Sequence, residues 1–198
     1  FQLQALNSSY MKRYLLLADR LDNLNQTAAL VARWSVLLML GIGLWNVVGR
    51  YFGVTIGHNL SSNLLIEAQW YLFDLIFLLG LGWTLQRKGH VRVDVWQERW
   101  RPKRKIQMEL IGTLFLLLPF AIGVMVISIE PALHSWSINE TSPDPNGLPR
   151  YWVKALIPLG FMLLTLQGIA DATRSLAKLK NISSLRKVPK EVMEKIID

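Results

Sequence analysis

The chain has 198 residues, 52% of them hydrophobic, with 22 Lys and Arg against 14 Asp and Glu and a formal net charge of +8. High apolar content and high charge coexist only when segregated, so the basic excess points to anionic lipid headgroups and away from nucleic acid, whose binders carry basic residues on a folded polar surface. No Cys is present, which removes disulfide frameworks and thiolate chemistry.

The first ten residues, FQLQALNSSY, are too polar for a signal peptide, so the first long apolar segment is expected to stay in the membrane; Met11 is a candidate native start. From Tyr14 to Thr27, Leu17, Leu21, Leu24 and then Ala28 recur at helical spacing among charged residues. That pattern predicts an amphipathic helix, either lying in the membrane interface or serving as a soluble cap. A first span is predicted over Leu30 to Val48, with Gly41 and Gly43 allowing close helix approach. The loop Tyr51 to Asn63 follows, with His58 read as solvated.

The second span, Leu64 to Leu85, is about 33 Å long as a helix, enough for a hydrocarbon core of about 30 Å. It holds two acids, Glu67 and Asp74, nearly two turns apart and so on one face. Each costs roughly 2.5–3.5 kcal/mol at the bilayer centre, which keeps such groups facing a bundle interior, a hydrated cavity or a partner. The span ends on the basic turn Gln86 to His90. Val93, Trp96 and Trp100 then mark a short interfacial helix, with Trp96 and Trp100 as headgroup-level anchors, stopped by Pro102.

The third span runs from Ile106 to Ile129, with Glu109 near its start and an interior Pro119 expected to kink it. Glu130 to Arg150 is predicted as a loop, rich in Pro and Gly. The fourth span covers Tyr151 or Trp152 to Leu176, with Lys154 and Pro158 early and Gln167 and Asp171 late. The expected organisation is an N-terminal segment over 1–27, a four-helix membrane domain over 28–176 and a charged tail over 177–198.

Nineteen of the 22 Lys and Arg fall on one side of this layout, leaving only Arg50, Arg150 and Lys154 on the other. The positive-inside rule therefore predicts both termini in the cytoplasm. The fold class is an all-α integral membrane protein with four transmembrane helices and amphipathic interfacial helices before the first span and between spans two and three. Depth then suggests two ion pairs, Glu67 with Lys154 and Glu109 with Arg33. Asp74 lies roughly 15 Å below Leu64, near the midplane, where no Lys, Arg or His shares its depth. It is expected either to carry its proton or to hydrogen-bond a polar group on a neighbouring helix or second subunit. Glu67, Trp70, Asp74, Glu109 and Lys154 are thus the candidate intramembrane or subunit-interface residues.

No catalytic, cofactor or metal site is expected. His58, His90 and His134 fall in three predicted loops on both sides of the membrane. Nucleophile-elbow, phosphate-loop and metalloprotease motifs do not occur. Four short-loop spans without broken-helix repeats argue against a self-sufficient secondary transporter. The chain reads as a subunit, with a tetraspan assembly or signalling protein and a self-contained ion channel using Asp74 as alternatives.

Three features resemble one family. The second helix opens EAQWYLF at Glu67 to Phe73 and continues FLLGLGWTLQRKGHVRVDV; the fourth begins GLPRYWVKALIPLGFMLLTLQG at Gly147 to Gly168; and the predicted topology has four spans with both termini inside. Together, over about Ala28 to Leu176, they resemble the small membrane subunits, DctQ-like, of tripartite ATP-independent periplasmic (TRAP) transporters. The resemblance implies a bacterial or archaeal inner-membrane scaffold beside a large many-helix subunit that imports an organic acid with a sodium gradient, after delivery by a periplasmic binding protein. It implies that Arg87, His90 and Asp94 organise the cytoplasmic turn or touch the large subunit. The loop holding Glu140, Asp144 and Arg150 would face the binding protein. Neither sodium nor substrate would bind this chain.

Overall fold

The computed structural model describes residues 2–58, 60–89, 100–144 and 147–185. These residues form α1 (Gln2–Ile56), α2 (Asn63–Gln86), α3 (Pro102–Gly112), α4 (Leu118–Ser137) and α5 (Tyr151–Leu185), with a π-helical turn, Thr113–Leu117, joining α3 to α4. Counting α3 to α4 as one rod, four helices are long and apolar enough to cross a membrane, as the hydrophobic runs predict.

Several boundaries differ from the sequence expectation. The amphipathic stretch is not a separate helix but the first part of a 55-residue α1, about 82 Å long. The join at Thr27-Ala28-Ala29-Leu30 contains no Gly or Pro, and two alanines propagate the helix well. α1 also runs through Ile56, so the following loop is short. α5 continues past Leu176 to Leu185, taking in part of the segment read as a tail. The expected interfacial helix after the basic turn, with Trp96, lies outside the described residues except for its last positions; Trp100 is half-buried ahead of α3.

At Pro119 the third rod stays continuous but changes its local geometry. Pro119 lacks the N–H that would continue the ladder, and the turn just before it widens to π geometry, which reroutes the freed carbonyls. Pro131 has no such effect. Glu130 to Ser137, expected as loop, is the last part of α4, and His134 sits in its final turn. One lost hydrogen bond there is outweighed by packing: Ala132 and Ser135 are buried, and the Trp136 ring meets Tyr151 and Trp152 edge-on at 4.9 and 5.1 Å.

Three helix ends close on residues in the left-handed conformation. Gly57 (φ 78°) ends α1, and its N–H reaches Gly53 O at 2.9 Å. α2 ends in a Schellman motif with Lys88 (φ 55°) in the left-handed position, Gly89 N–H donating to Thr84 O and Lys88 N–H to Leu85 O, both at 2.9 Å. α4 repeats the motif with Asn139 (φ 47°), a residue that tolerates this region, and Glu140 N–H donates to Ser135 O at 3.0 Å.

α5 is the hub. It packs against α1, α2, α3, the π turn and α4, whereas the backbones of α1 and α2 do not approach α3 or α4 among the described residues. Glycines set its closest contacts: a Cβ at Gly160 would lie 2.8 Å from the Leu78 carbonyl oxygen on α2, and one at Gly168 2.7 Å from Leu117 Cδ2 on the π turn. Small residues let apolar helices touch where no hydrophobic effect drives them together. A small core of Ala32, Leu79 and Leu163, flanked by Ala28 and Leu75, joins α1, α2 and α5.

Candidate functional site

Polar side chains gather at the two ends of the helices. At the end carrying the α4–α5 connection, Glu67 of α2 is buried, as an acid inside an apolar run should be. Its Oε2 accepts the Leu148 N–H at 2.6 Å, and the Ser142 hydroxyl also donates to it. Tyr71, one turn along α2, donates its hydroxyl to Leu148 O at 3.2 Å. The connection is a tight hairpin: Thr141 pairs with Pro149 in an antiparallel bridge, and Ser142 N–H donates to Leu148 O at 3.1 Å. Gly147 is needed inside it, because a Cβ there would sit 2.3 Å from Ser142 Cβ.

The expected Glu67–Lys154 pair is therefore replaced. Lys154 pairs with Glu140, which the Schellman turn after α4 brings back over the first turn of α5. Arg150 donates its backbone N–H to Glu140 O at 2.8 Å, and its charge acts on both Glu67 and Glu140. The hydrogen bond from Lys154 is the main cause that holds the Glu140 carboxyl below its usual range. Of the three residues expected to meet a binding protein, Glu140 and Arg150 are half-buried in this hairpin and Asp144 is exposed.

At the opposite end, sequence reasoning missed the largest network. Asn25 and Gln167 are both fully buried, and the Asn25 amide donates to Gln167 Oε1 at 2.9 Å, from α1 to α5. Gln167 Nε2 donates to Asp22 at 3.0 Å and to Asp171 at 3.4 Å. Arg174 forks onto Asp22 at 3.0 and 2.6 Å and reaches Asp19 at 3.1 Å. A bidentate guanidinium on a carboxylate is among the strongest side-chain links available. α2 is locked in by Gly82, whose Cβ position is filled by Asn25 Oδ1, 2.0 Å away. A usable signal was present: Gln167, Asp171 and Arg174 form an i, i+4, i+7 stripe on the fourth span, and Asp19, Asp22 and Asn25 recur at intervals of three on the first helix.

At this end Glu109 pairs with Lys88 at 3.0 Å, not with Arg33, because the α2 turn lies over the start of α3 while exposed Arg33 sits on α1, which does not approach it. Arg87 caps α2 and places its guanidinium 5.7 Å from the Trp83 ring centre. Its expected partners His90 and Asp94 lie outside the described residues.

Asp74 belongs to neither cluster. It is half-buried midway along α2, between exposed Trp70, Phe73 and Phe77, and it hydrogen-bonds none of the described residues. The described residues contain no group of His, Cys, Asp and Glu suited to a metal ion.

Four membrane-length helical rods, with buried polar groups that tie the chain's own helices together at both ends, define a multi-pass membrane protein. Residues 39–178 match the family described as tripartite ATP-independent periplasmic transporters, DctQ component, and the chain belongs to it. It is thus the small membrane component of a TRAP transporter, in the inner membrane. No curated protein and no solved structure matches it.

Proposed function

We propose that this chain is the static small permease subunit of a sodium-driven, binding-protein-dependent importer of an organic acid. It packs against the large membrane subunit and enlarges the frame against which that subunit moves substrate, with both termini in the cytoplasm and the Glu140–Arg150 hairpin in the periplasm. The observation that carries this reading is the use made of polar side chains. Glu67, Asn25, Gln167, Asp22 and Arg174 all serve helix-to-helix or helix-to-loop links, the pattern of a braced scaffold. The wide apolar faces of α1, α2 and α4 remain outward, available to lipid and to a partner. The large subunit and the periplasmic binding protein are the partners, and exposed Asp144 is the hairpin residue best placed to meet the latter.

The test is co-purification followed by transport. Tagged chain extracted with mild detergent should bring the large subunit with it. Proteoliposomes holding both, given binding protein and an inward sodium gradient, should accumulate a labelled carboxylate, while vesicles holding this chain alone should not. Flux through vesicles of this chain alone, abolished in Asp74→Asn, would overturn the scaffold reading in favour of a channel.

A further inference from the structure

α2 has a face that its own chain does not cover. Leu78, Leu79 and Gly82 turn inward to α1 and α5, and Glu67 is taken by the hairpin. Around the wheel from these, Trp70 (62% exposed), Phe73 (58%) and Phe77 (56%) line the outer side, and Asp74 stands at the border between the two faces. Outward aromatic residues alone would suit lipid. Asp74 does not.

Asp74 is the twelfth residue of a 24-residue helix about 36 Å long, so it sits at mid-membrane. Water does not reach that depth on a lipid-facing helix, and a carboxyl group there needs a hydrogen-bond partner in either protonation state. The described residues supply none, in contrast to Glu67, Asp22 and Asp171, each of which has one. The groups around Asp74 on α2 are apolar or aromatic, and Tyr71, an ionisable neighbour one turn away, donates its hydroxyl to Leu148.

We propose that the Trp70–Phe73–Asp74–Phe77 face of α2 is the docking surface for a membrane helix of the large subunit, one that presents a hydrogen-bond donor or a cation to Asp74 at mid-membrane. The inference rests on the scaffold reading above and adds where the partner sits and what chemistry it brings. A second copy of this chain fits less well, because a two-fold contact across this face would set acid against acid. Lipid supplies no donor at this depth. The aromatic side chains provide large contact area at little cost in side-chain freedom, and Asp74 sets the register.

The experiment uses the full chain co-expressed with the large subunit. This chain has no Cys, so single cysteines at Phe73, at Phe77 and, as a control, at Ile127 on α4 (75% exposed) each place a photo-cross-linker at one defined position of it, with the Cys-free parent as the background control. The proposal expects positions 73 and 77 to cross-link to the large subunit and position 127 not to. It also expects Asp74→Leu to retain about tenfold less large subunit than the parent, as loss of one bond of about 1.4 kcal/mol would give, with Asp74→Asn falling between. Cross-linking from 127 alone, with the large subunit still co-purified, overturns this docking face and leaves the scaffold reading intact. Cross-links from 73 to a second copy, or to lipid only, overturn it likewise. Failure of the parent chain to retain any large subunit overturns the scaffold reading itself.

Discussion

Replacing Gly82 by Ala places one methyl group where the chain has no room for it. The new Cβ would lie 2.0 Å from Asn25 Oδ1, 2.7 Å from Asn25 Cγ and 3.2 Å from the Leu163 carbonyl oxygen. Asn25 cannot swing aside freely, since its amide nitrogen is held by Gln167 at 2.9 Å and by Leu21 O at 3.2 Å. Overpacking of this kind costs about 1–3 kcal/mol. Displacing the amide loses an interhelical bond worth about 0.6–1.7 kcal/mol in a membrane protein. Against this stands a gain of about 1 kcal/mol from the better helix propensity of Ala. The net expectation is a loss of about 1–4 kcal/mol. It is measured by unfolding the purified protein in mixed micelles of rising denaturing-detergent content. The double variant Gly82→Ala, Asn25→Ala separates causes, because removing the amide vacates the space the methyl needs. Asn25→Ala should therefore cost less in the Gly82→Ala background than alone, with a coupling of about 1–3 kcal/mol. Gly82→Ala proteins as stable as the parent, or strictly additive variants, would show that this three-helix junction is not packed as described.

Four further outcomes are expected. Arg174→Ala should free the Asp19–Asn25 stretch of α1 to hydrogen exchange and cost about 1.5–3 kcal/mol, while Arg174→Lys recovers only part, since an ammonium cannot fork onto Asp22. Glu67→Leu leaves the Leu148 N–H unpaired and should raise exchange across the Thr141–Pro149 hairpin, at a cost of about 1–3 kcal/mol; Lys154→Met should not reproduce this pattern at Leu148, because Lys154 serves Glu140. Lys88→Gly should raise thermal stability by up to about 1 kcal/mol, since relief of the left-handed conformation, about 1–2 kcal/mol, exceeds loss of an exposed pair to Glu109 worth about 0–1 kcal/mol. Glu140 is held below its ordinary value of 4.5. Its contribution to the hairpin is therefore present above that value and lost as pH falls through the lower folded value, so hairpin exchange should quicken in acid and no longer do so in Glu140→Gln.

Span number and type were legible because membrane-length apolar runs leave few alternatives, and Pro119 pointed to the irregular part of the third rod, a π turn just before it, because proline removes a fixed backbone group. Pairing was not legible. Depth correctly put Glu67 and Lys154 at the same end, but depth does not choose partners: a left-handed residue, Asn139, turns the chain so that Glu140 reaches Lys154 first. Likewise the basic turn was visible, while the left-handed Lys88 that lays it over Glu109 was not, since a lysine gives no such signal. The Asn25–Gln167 link depends on which faces of α1 and α5 meet, a tertiary fact. The continuity of α1 was obscured by a change from amphipathic to apolar pattern, which alters the helix's surroundings without ending it.

Among the described residues, α5 is the helix whose backbone packs on both α1–α2 and α3–α4, and this has a consequence in time. α5 follows the other described helices in the chain. When the first two spans have been made, they can pair with each other, but Asn25 lacks Gln167, Asp22 lacks Arg174 and Glu67 lacks the Leu148 amide, all of which come later in the chain. Among the described residues the third rod packs on no helix other than α5, and the Lys88–Glu109 pair links it to the α2 end. Nascent chains halted before Tyr151 should therefore be loosely joined and protease-sensitive, with polar groups still unsatisfied, and completion of the fourth span is the step that commits the protein to its fold.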